Sequence, residues 1–416
     1  MNKLPINLAL SYSSTLMAFF IVLLLARVLG ADSFSWVALG LAIGGFIVPL
    51  FNLGSDRTFV RDAVAQGHTD LIDQMVLSNL SQRILMALPI SVALLGLTMF
   101  FTDTFNDALS LIGLSLWAGL IGLYPAAWFD YSLDVRRQNL IVLGERIAGL
   151  LLISTFYNSA ATASQMILLI SMCLLATRVA SILLQIRSWW VHHASTPFFT
   201  SVTPTHQNPN GTNLHITVAT VASAFLTYGN QLILAHNNPT ELSSYSLAFQ
   251  MMMAVFLFQG QAIRLSSRSI MEACASQKTL LQSLAQNAGI LFVGSTILAL
   301  GAWIAIQALP HILADARFET MSKIALPLCI WVSLTGLGFS ISQHSLALEQ
   351  ERFLLFTSLA GGFIALILGS LFIPHYGALA VAVILLVVHS SMMVANAIWL
   401  LYSINIKESW GCLERS

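Results

Sequence analysis

The chain has 416 residues, of which 57% are hydrophobic and 9% charged, and its 18 Lys and Arg balance its 18 Asp and Glu. Soluble domains carry about 25% charged residues, so a soluble enzyme, a nucleic-acid-binding protein and a disordered scaffold are excluded together. The composition is that of an all-α integral membrane protein.

Each transmembrane helix needs about 20 apolar residues. Apolar runs predict about twelve of them, near residues 6–29, 34–54, 81–101, 108–129, 138–158, 163–186, 214–235, 242–263, 286–308, 324–345, 353–373 and 377–402. The alternation that a transmembrane barrel requires is absent. The first run is too long for a cleaved signal and has no small-residue cleavage site, so it is expected to remain as the first span. With both termini in the cytoplasm, thirteen of the 18 Lys and Arg fall in inside segments and three (Arg27, Arg317 and Lys323) at outside ends, which sets the orientation.

Residues 187–213 are rich in Ser, Thr, Pro and Asn and read as a cytoplasmic linker between an N-terminal lobe, 1–186, and a C-terminal lobe, 214–416. His192, His193 and His206 in it are scattered, and the four cysteines fit no metal or disulfide spacing, so no metal site is assigned. The two halves carry a weak internal repeat. Leu25-Ala26-Arg27, Asp32 and Ser35-Trp36 correspond to Leu234-Ala235-His236, Glu241 and Ser244-Tyr245, and Arg57/Arg61 to Arg264/Arg268. Six spans per half keep both halves in one orientation, which predicts two six-helix lobes with a substrate path at a central cavity.

Polar groups inside a bilayer are costly, so their placement carries information. Thr220, Ser223, Thr227 and Asn230 recur at helical spacing in the seventh span, and Asn7, Ser11, Ser14 and Thr15 in the first. Ser171, Arg178, Ser181 and Gln185 form a stripe on the sixth. Such residues serve either helix packing or a wet cavity. The matching stripes of the first and seventh spans favour the cavity.

Arg146 and Arg178 lie about 12 Å from the cytoplasmic ends of their spans at about 1.5 Å per residue, deeper than an Arg side chain easily snorkels. Two readings stay open. Either they pair with Glu145, Asp130 or Asp134, or they form a cationic wall that receives phosphate through the bidentate guanidinium fork. Glu145 is expected to point about 100° away from Arg146 on its own helix. Arg57, Arg61, Arg264 and Arg268 either anchor the cytoplasmic interface or attract an anionic headgroup. Arg27 snorkels at the outer end or guides a phosphate on exit. Glu145, then Asp130, are the candidate ion-coupling carboxylates. No nucleotide-binding loop and no catalytic constellation is present, which points to a secondary transporter without cofactor rather than an enzyme.

Three segments resemble bacterial polysaccharide flippases of the Wzx type: Leu24-Leu25-Ala26-Arg27-Val28-Leu29-Gly30 with Phe34, Asn52 through Asp62, and Gln231-Leu232-Ile233-Leu234 through Tyr245-Ser246-Leu247-Ala248. Family members often carry an acidic residue just before the last segment, where this chain has Asn230. The resemblance implies the multidrug/oligosaccharidyl-lipid/polysaccharide exporter superfamily and a multi-pass protein of the bacterial inner membrane. It also implies the cargo, a polyprenyl-pyrophosphate-linked oligosaccharide for O-antigen or other surface polysaccharide. That cargo would cross by alternating access driven by H+ or Na+, in contact with membrane lipid and other polysaccharide-assembly proteins. A cation-coupled multidrug antiporter of the same superfamily is the runner-up. A major-facilitator transporter and a membrane polysaccharide polymerase stand behind it.

Overall fold

Inside a bilayer the backbone has no water to bond, so an apolar chain must close its hydrogen bonds within helices. The computed structural model describes residues 4–52, 69–102, 104–124, 129, 135–156, 162–193, 212–274, 277–313, 315, 318–348 and 350–413, and every regular element among them is helical. In chain order these are α1 (Leu4–Asn52), α2 (Thr69–Phe100), α3 (Phe105–Gly119), α4 (Val135–Phe156) and α5 (Ala163–His193). A 3-10 turn, Leu120–Leu123, closes α3. Then come α6 (Thr212–Ala224), a π turn over Phe225–Gly229, α7 (Asn230–Asn237), α8 (Pro239–Cys274), α9 (Gln277–Leu313), α10 (Thr320–Ala347) and α11 (Glu351–Leu413).

Among the described residues nine stretches are long and apolar enough to cross a membrane, two of them 44 and 54 residues long. At about 1.5 Å per residue these reach about 66 and 81 Å, more than twice a hydrocarbon core of about 30 Å. Each is broken by a glycine in a conformation closed to L-residues: Gly30 in α1 has φ 68° and ψ 171°, and Gly377 in α11 has φ 55° and ψ −136°. The sequence treats each stretch as two spans; the structure joins them through a single glycine with no intervening loop. Helix α4 occupies the expected fifth span but carries Arg136, Arg137, Glu145 and Arg146 and is not among the nine. Helix α5 continues to His193, beyond the boundary expected at 186, because Ser188 and Trp189 are buried and Trp189 meets Trp190 edge-on at 6.1 Å.

The chain divides into two compact units, Met1–Thr217 and Val218–Ser416. In the first, the arm of α1 after Gly30 lies against α3 along a small-residue seam. A methyl group on Gly40 would collide with Leu114, one on Gly44 with Ala118, and one on Gly122 with the Val48 carbonyl. Small residues at such spacing let helix backbones approach closely where no water drives them together. The arm before Gly30 reaches α4, with Ile21 and Leu174 both near Gly149.

In the second unit, Gln259 of α8 ties three helices together. Its Nε2 donates to Ser295 Oγ (2.9 Å) and to the Val332 carbonyl (2.7 Å), and its Oε1 accepts from Thr335 at 3.1 Å. Stacked rings continue the contact, with Tyr245 to Phe249 at 5.8 Å and Phe249 to Trp331 at 5.6 Å. At the α11 break, Glu241 Oε2 accepts the Ala378 N–H at 2.7 Å.

Candidate functional site: a carboxylate between two guanidiniums

The deepest charges of the first unit gather around one side chain. Glu145 of α4 is buried, and its Oε1 lies 3.2 Å from Arg178 Nε of α5 and 3.9 Å from Arg146 Nε. Its Oε2 accepts the Tyr124 hydroxyl. Neighbouring helix positions diverge by about 100°, yet the long Arg146 side chain folds back far enough to meet Glu145. The expectation that the two point apart is therefore corrected. Neither guanidinium Nε reaches hydrogen-bond geometry, so Glu145 Oε1, Arg146 Nε and Arg178 Nε are held by charge alone.

Arg178 is 2% exposed. One terminal nitrogen donates to Tyr124 Oη at 2.8 Å, and the guanidinium carbon stands 5.3 Å from the Tyr124 ring and 5.8 Å from the Trp117 ring. Both distances suit cation–π attraction in a desolvated site. Ser181 Oγ lies 3.3 Å from Tyr124 Oη and 3.5 Å from Gln185 Nε2, while Gln185 Oε1 has no hydrogen-bond partner among the described residues. The stripe read on the sixth span is thus buried along Ser171, Arg178, Ser181 and Gln185; Arg178 and Ser181 meet at the Tyr124 hydroxyl, and Gln185 reaches it only through Ser181.

Two guanidiniums face one carboxylate, so the cluster keeps a cationic surplus. That surplus resides on Arg146, whose side chain is 13% exposed, against 3% for Arg178. A buried ion pair of this kind is weak evidence for stability, because removing two charges from water costs about what their attraction returns.

Arg83 departs from the positive-inside role assigned by position. It is 3% exposed; one terminal nitrogen donates to the carbonyls of Gly122 (3.1 Å) and Tyr124 (3.0 Å), and its Nε donates to Asn79 at 2.7 Å. Tyr124, Trp117 and this use of Arg83 were missed by sequence reasoning. An aromatic at the end of a span looks like an interface anchor, and backbone carbonyl acceptors leave no trace in a sequence.

The other candidates lie elsewhere. Arg27 is exposed on α1. Arg57, Arg61, Asp130 and Asp134 lie outside the described residues; Arg264 and Arg268 are on α8, but their side chains are not described. On the seventh-span stripe Thr220 is half-buried, Ser223 and Thr227 bond carbonyls one turn back at 3.0 Å, and Ser223 also meets Ser358 at 3.3 Å. Asn230 is fully buried against Gly369, with neither amide atom hydrogen-bonded. In the matching first-span stripe Ser11 and Ser14 are buried and Thr15 bonds the Ser11 carbonyl at 2.9 Å; the Asn7 side chain is not described. No group of three or more His, Cys, Asp or Glu suited to a metal ion occurs among the described residues.

This architecture is that of a multi-pass, all-α membrane bundle. No family model and no curated protein matches the chain. Among solved structures, an inward-facing multidrug resistance MATE family transporter of the MOP superfamily superposes with TM-score 0.69 at 13% identity, covering 97% of this chain and 98% of that one. MATE in complex with MaD5 gives 0.70 at 13% identity, covering 98% and 96%. The lipid II flippase MurJ, inward closed, gives 0.66 at 14% identity, covering 96% and 87%. The likeness establishes the fold these proteins share. It extends to multidrug exporters and a lipid flippase alike and does not single out the Wzx type.

Proposed function

We propose that the chain is a non-enzymatic secondary transporter that works by ion-coupled alternating access. It has twelve spans, six in each half, with both termini in the cytoplasm of a bacterial inner membrane. The observation that carries this reading is the carboxylate of Glu145, buried between Arg178, Arg146 and Tyr124 within an exporter fold. Buried ionisable groups that no packing argument requires mark ion pathways in membrane proteins. Glu145 is the proton-carrying group. Two guanidiniums within 4 Å repel a metal cation. Proton uptake removes the countercharge of Arg178 and loosens the joint between α4, α5 and the 3-10 turn.

For the cargo, the multidrug exporters among the structural neighbours weigh toward antiport of an amphiphilic compound, and this reading comes first. Arg146 favours a second, the flipping of a polyprenyl-pyrophosphate-linked oligosaccharide, because a surplus guanidinium with an unbonded Nε suits a phosphate. In that reading Arg57, Arg61, Arg264 and Arg268 serve the cytoplasmic mouth and Arg27 the exit, while Thr220, Ser223, Thr227 and Asn230 meet the sugars.

Deleting the gene in its host separates the two. Antiport predicts greater sensitivity to amphiphilic drugs with an unchanged lipid-linked pool. Accumulated single repeat units on polyprenyl pyrophosphate, with surface polymer lost, would instead establish the flippase. In either case Glu145→Gln is expected to abolish complementation while the protein still reaches the membrane.

A further inference from the structure

We infer that the second unit holds a binding chamber around His389 for a flat, uncharged aromatic compound carrying one hydroxyl or carbonyl group. The chamber's role in transport rests on the first cargo reading, antiport of an amphiphilic compound.

His389 stands in the arm of α11 after Gly377, about 18 Å beyond that break and so near the middle of the hydrocarbon core. The outer face of this arm is marked by Val383, Val387, Val394 and Ile398, all exposed. Residue 389 is two positions from Val387, about 200° around the helix, and so points into the bundle. On that inward side Ala378, Ala382 and Leu385 are sealed, yet His389, Met392 and Met393 are only half-buried. The change from sealed to half-buried along an inward face marks an internal space that begins at His389.

The walls of this space are aromatic. Trp331 of α10 meets the imidazole edge-on at 6.2 Å, Phe256 of α8 lies 5.0 Å from Trp331, and Phe339 meets Phe256 edge-on at 5.6 Å. Phe256 and Phe339 are half-buried, although no described side chain of α8 from Glu241 to Ile263 or of α10 from Trp331 to Ala347 is exposed. Gly338 keeps a gap in front of the imidazole. A methyl group there would stand 3.6 Å from His389 Nε2 and 3.8 Å from Met393 Cγ, both ordinary contact distances.

The groups present select the ligand. Among the described residues the imidazole makes no hydrogen bond or ion pair. A neutral imidazole offers one donor and one acceptor, and leaving them unused in an apolar interior is costly. The Trp331 indole N–H is also buried without a hydrogen-bond partner. No Asp, Glu, Lys or Arg occurs in 242–263, 328–347 or 378–404, so nothing on these segments neutralises a charged ligand. Aromatic walls favour a flat ring, and one imidazole satisfies one polar group. A sugar, with several hydroxyls, would leave most of them unpaired there.

The test is binding, so it does not depend on transport. The full chain in lipid nanodiscs is equilibrated with radiolabelled 1-naphthol, and saturable uptake is measured against empty nanodiscs. Naphthalene, with the same rings and no hydroxyl, should compete about tenfold less well, the scale of one hydrogen bond. His389→Phe keeps a ring in place and should weaken 1-naphthol by about the same factor while leaving naphthalene unchanged. Gly338→Leu fills the gap and should abolish saturable binding. If that variant does not fold, Gly338→Ala, which fits at contact distance, should weaken both probes. Val387→Ala, on the outer face, should change neither. No saturable binding to the wild type, or binding unmoved by His389→Phe and the Gly338 variants, overturns the chamber. Glucose competing as well as naphthalene overturns the ligand class. Binding as expected, with unchanged drug sensitivity in the deletion strain, overturns the antiport reading and leaves the chamber standing, a different and recognisable failure.

Discussion

The two units solve the problem of buried polarity in different currencies of chemistry. The first gathers full charges around Glu145. The second, although it also buries Glu351, relies for its inter-helix ties on uncharged partners: the Gln259 amide bonds Ser295, the Val332 carbonyl and Thr335, and His344 Nδ1 contacts the Ser340 carbonyl at 2.8 Å and its Nε2 the Ser283 hydroxyl at 3.3 Å. A neutral amide network fixes helices without responding to ions, whereas an ion cluster changes its internal energy when one proton is added. The difference teaches that the repeat shared by the halves lies at their helix ends rather than in their buried chemistry. Gly30 breaks α1 a few residues after Leu25-Ala26-Arg27, and Asn238 ends α7 a few residues after Leu234-Ala235-His236. Around those matching breaks the interiors diverge.

The comparison can be broken most forcefully at Glu145. Glu145→Ala leaves Arg178 and Arg146 uncompensated and is expected to cost about 3–5 kcal/mol, read as thermal unfolding in detergent, with transport lost. Gln259→Leu strips three bonds from the neutral network and should cost about 1–3 kcal/mol. Its surviving protein should keep the wild-type pH dependence of transport; a changed dependence would erase the distinction between the units. Gly377→Ala forces a side chain into a left-handed backbone beside the Glu241 carboxylate, with an expected loss of about 1–2 kcal/mol in the same unfolding assay. Ser223→Ala removes a 3.0 Å bond to the Ala219 carbonyl within its own helix and a 3.3 Å contact to Ser358 and should change stability by about 1 kcal/mol or less. A substantial transport defect in that variant would move the seventh-span stripe from packing to cargo contact.

Hydropathy alone made the spans legible, because runs of about 20 apolar residues have few other uses. It separated two spans within α1 and two within α11, but could not show that each pair is joined through a single glycine with no loop, since Gly30 and Gly377 look like any other glycines in an apolar run. Of the candidate site, Arg146, Arg178 and Glu145 stood out by charge in an apolar setting. Their geometry did not, because helical spacing fixes where a side chain starts and says little about where a long one ends. Tyr124 was hidden by its ordinary position, and Arg83 by a rule that explains most arginines near a membrane surface. The π turn at Phe225–Gly229 was invisible as well, since the polar spacing of Thr220, Ser223, Thr227 and Asn230 reads as an unbroken α-helix.

That turn makes this part of the gene tolerant of one change in length and intolerant of its opposite. A π turn holds one more residue than the α-helix it interrupts, so deleting a codon between Phe225 and Gly229 would give α-helical bonding throughout and leave the residues beyond in nearly the same direction. Ser223 before the turn would keep its seat on Ser358, and Asn230 after it its seat on Gly369, both on α11. A residue inserted beyond the turn, in α-helical conformation, would rotate everything after it by about 100°, so an insertion between the two seats should be tolerated less well than a deletion within the turn.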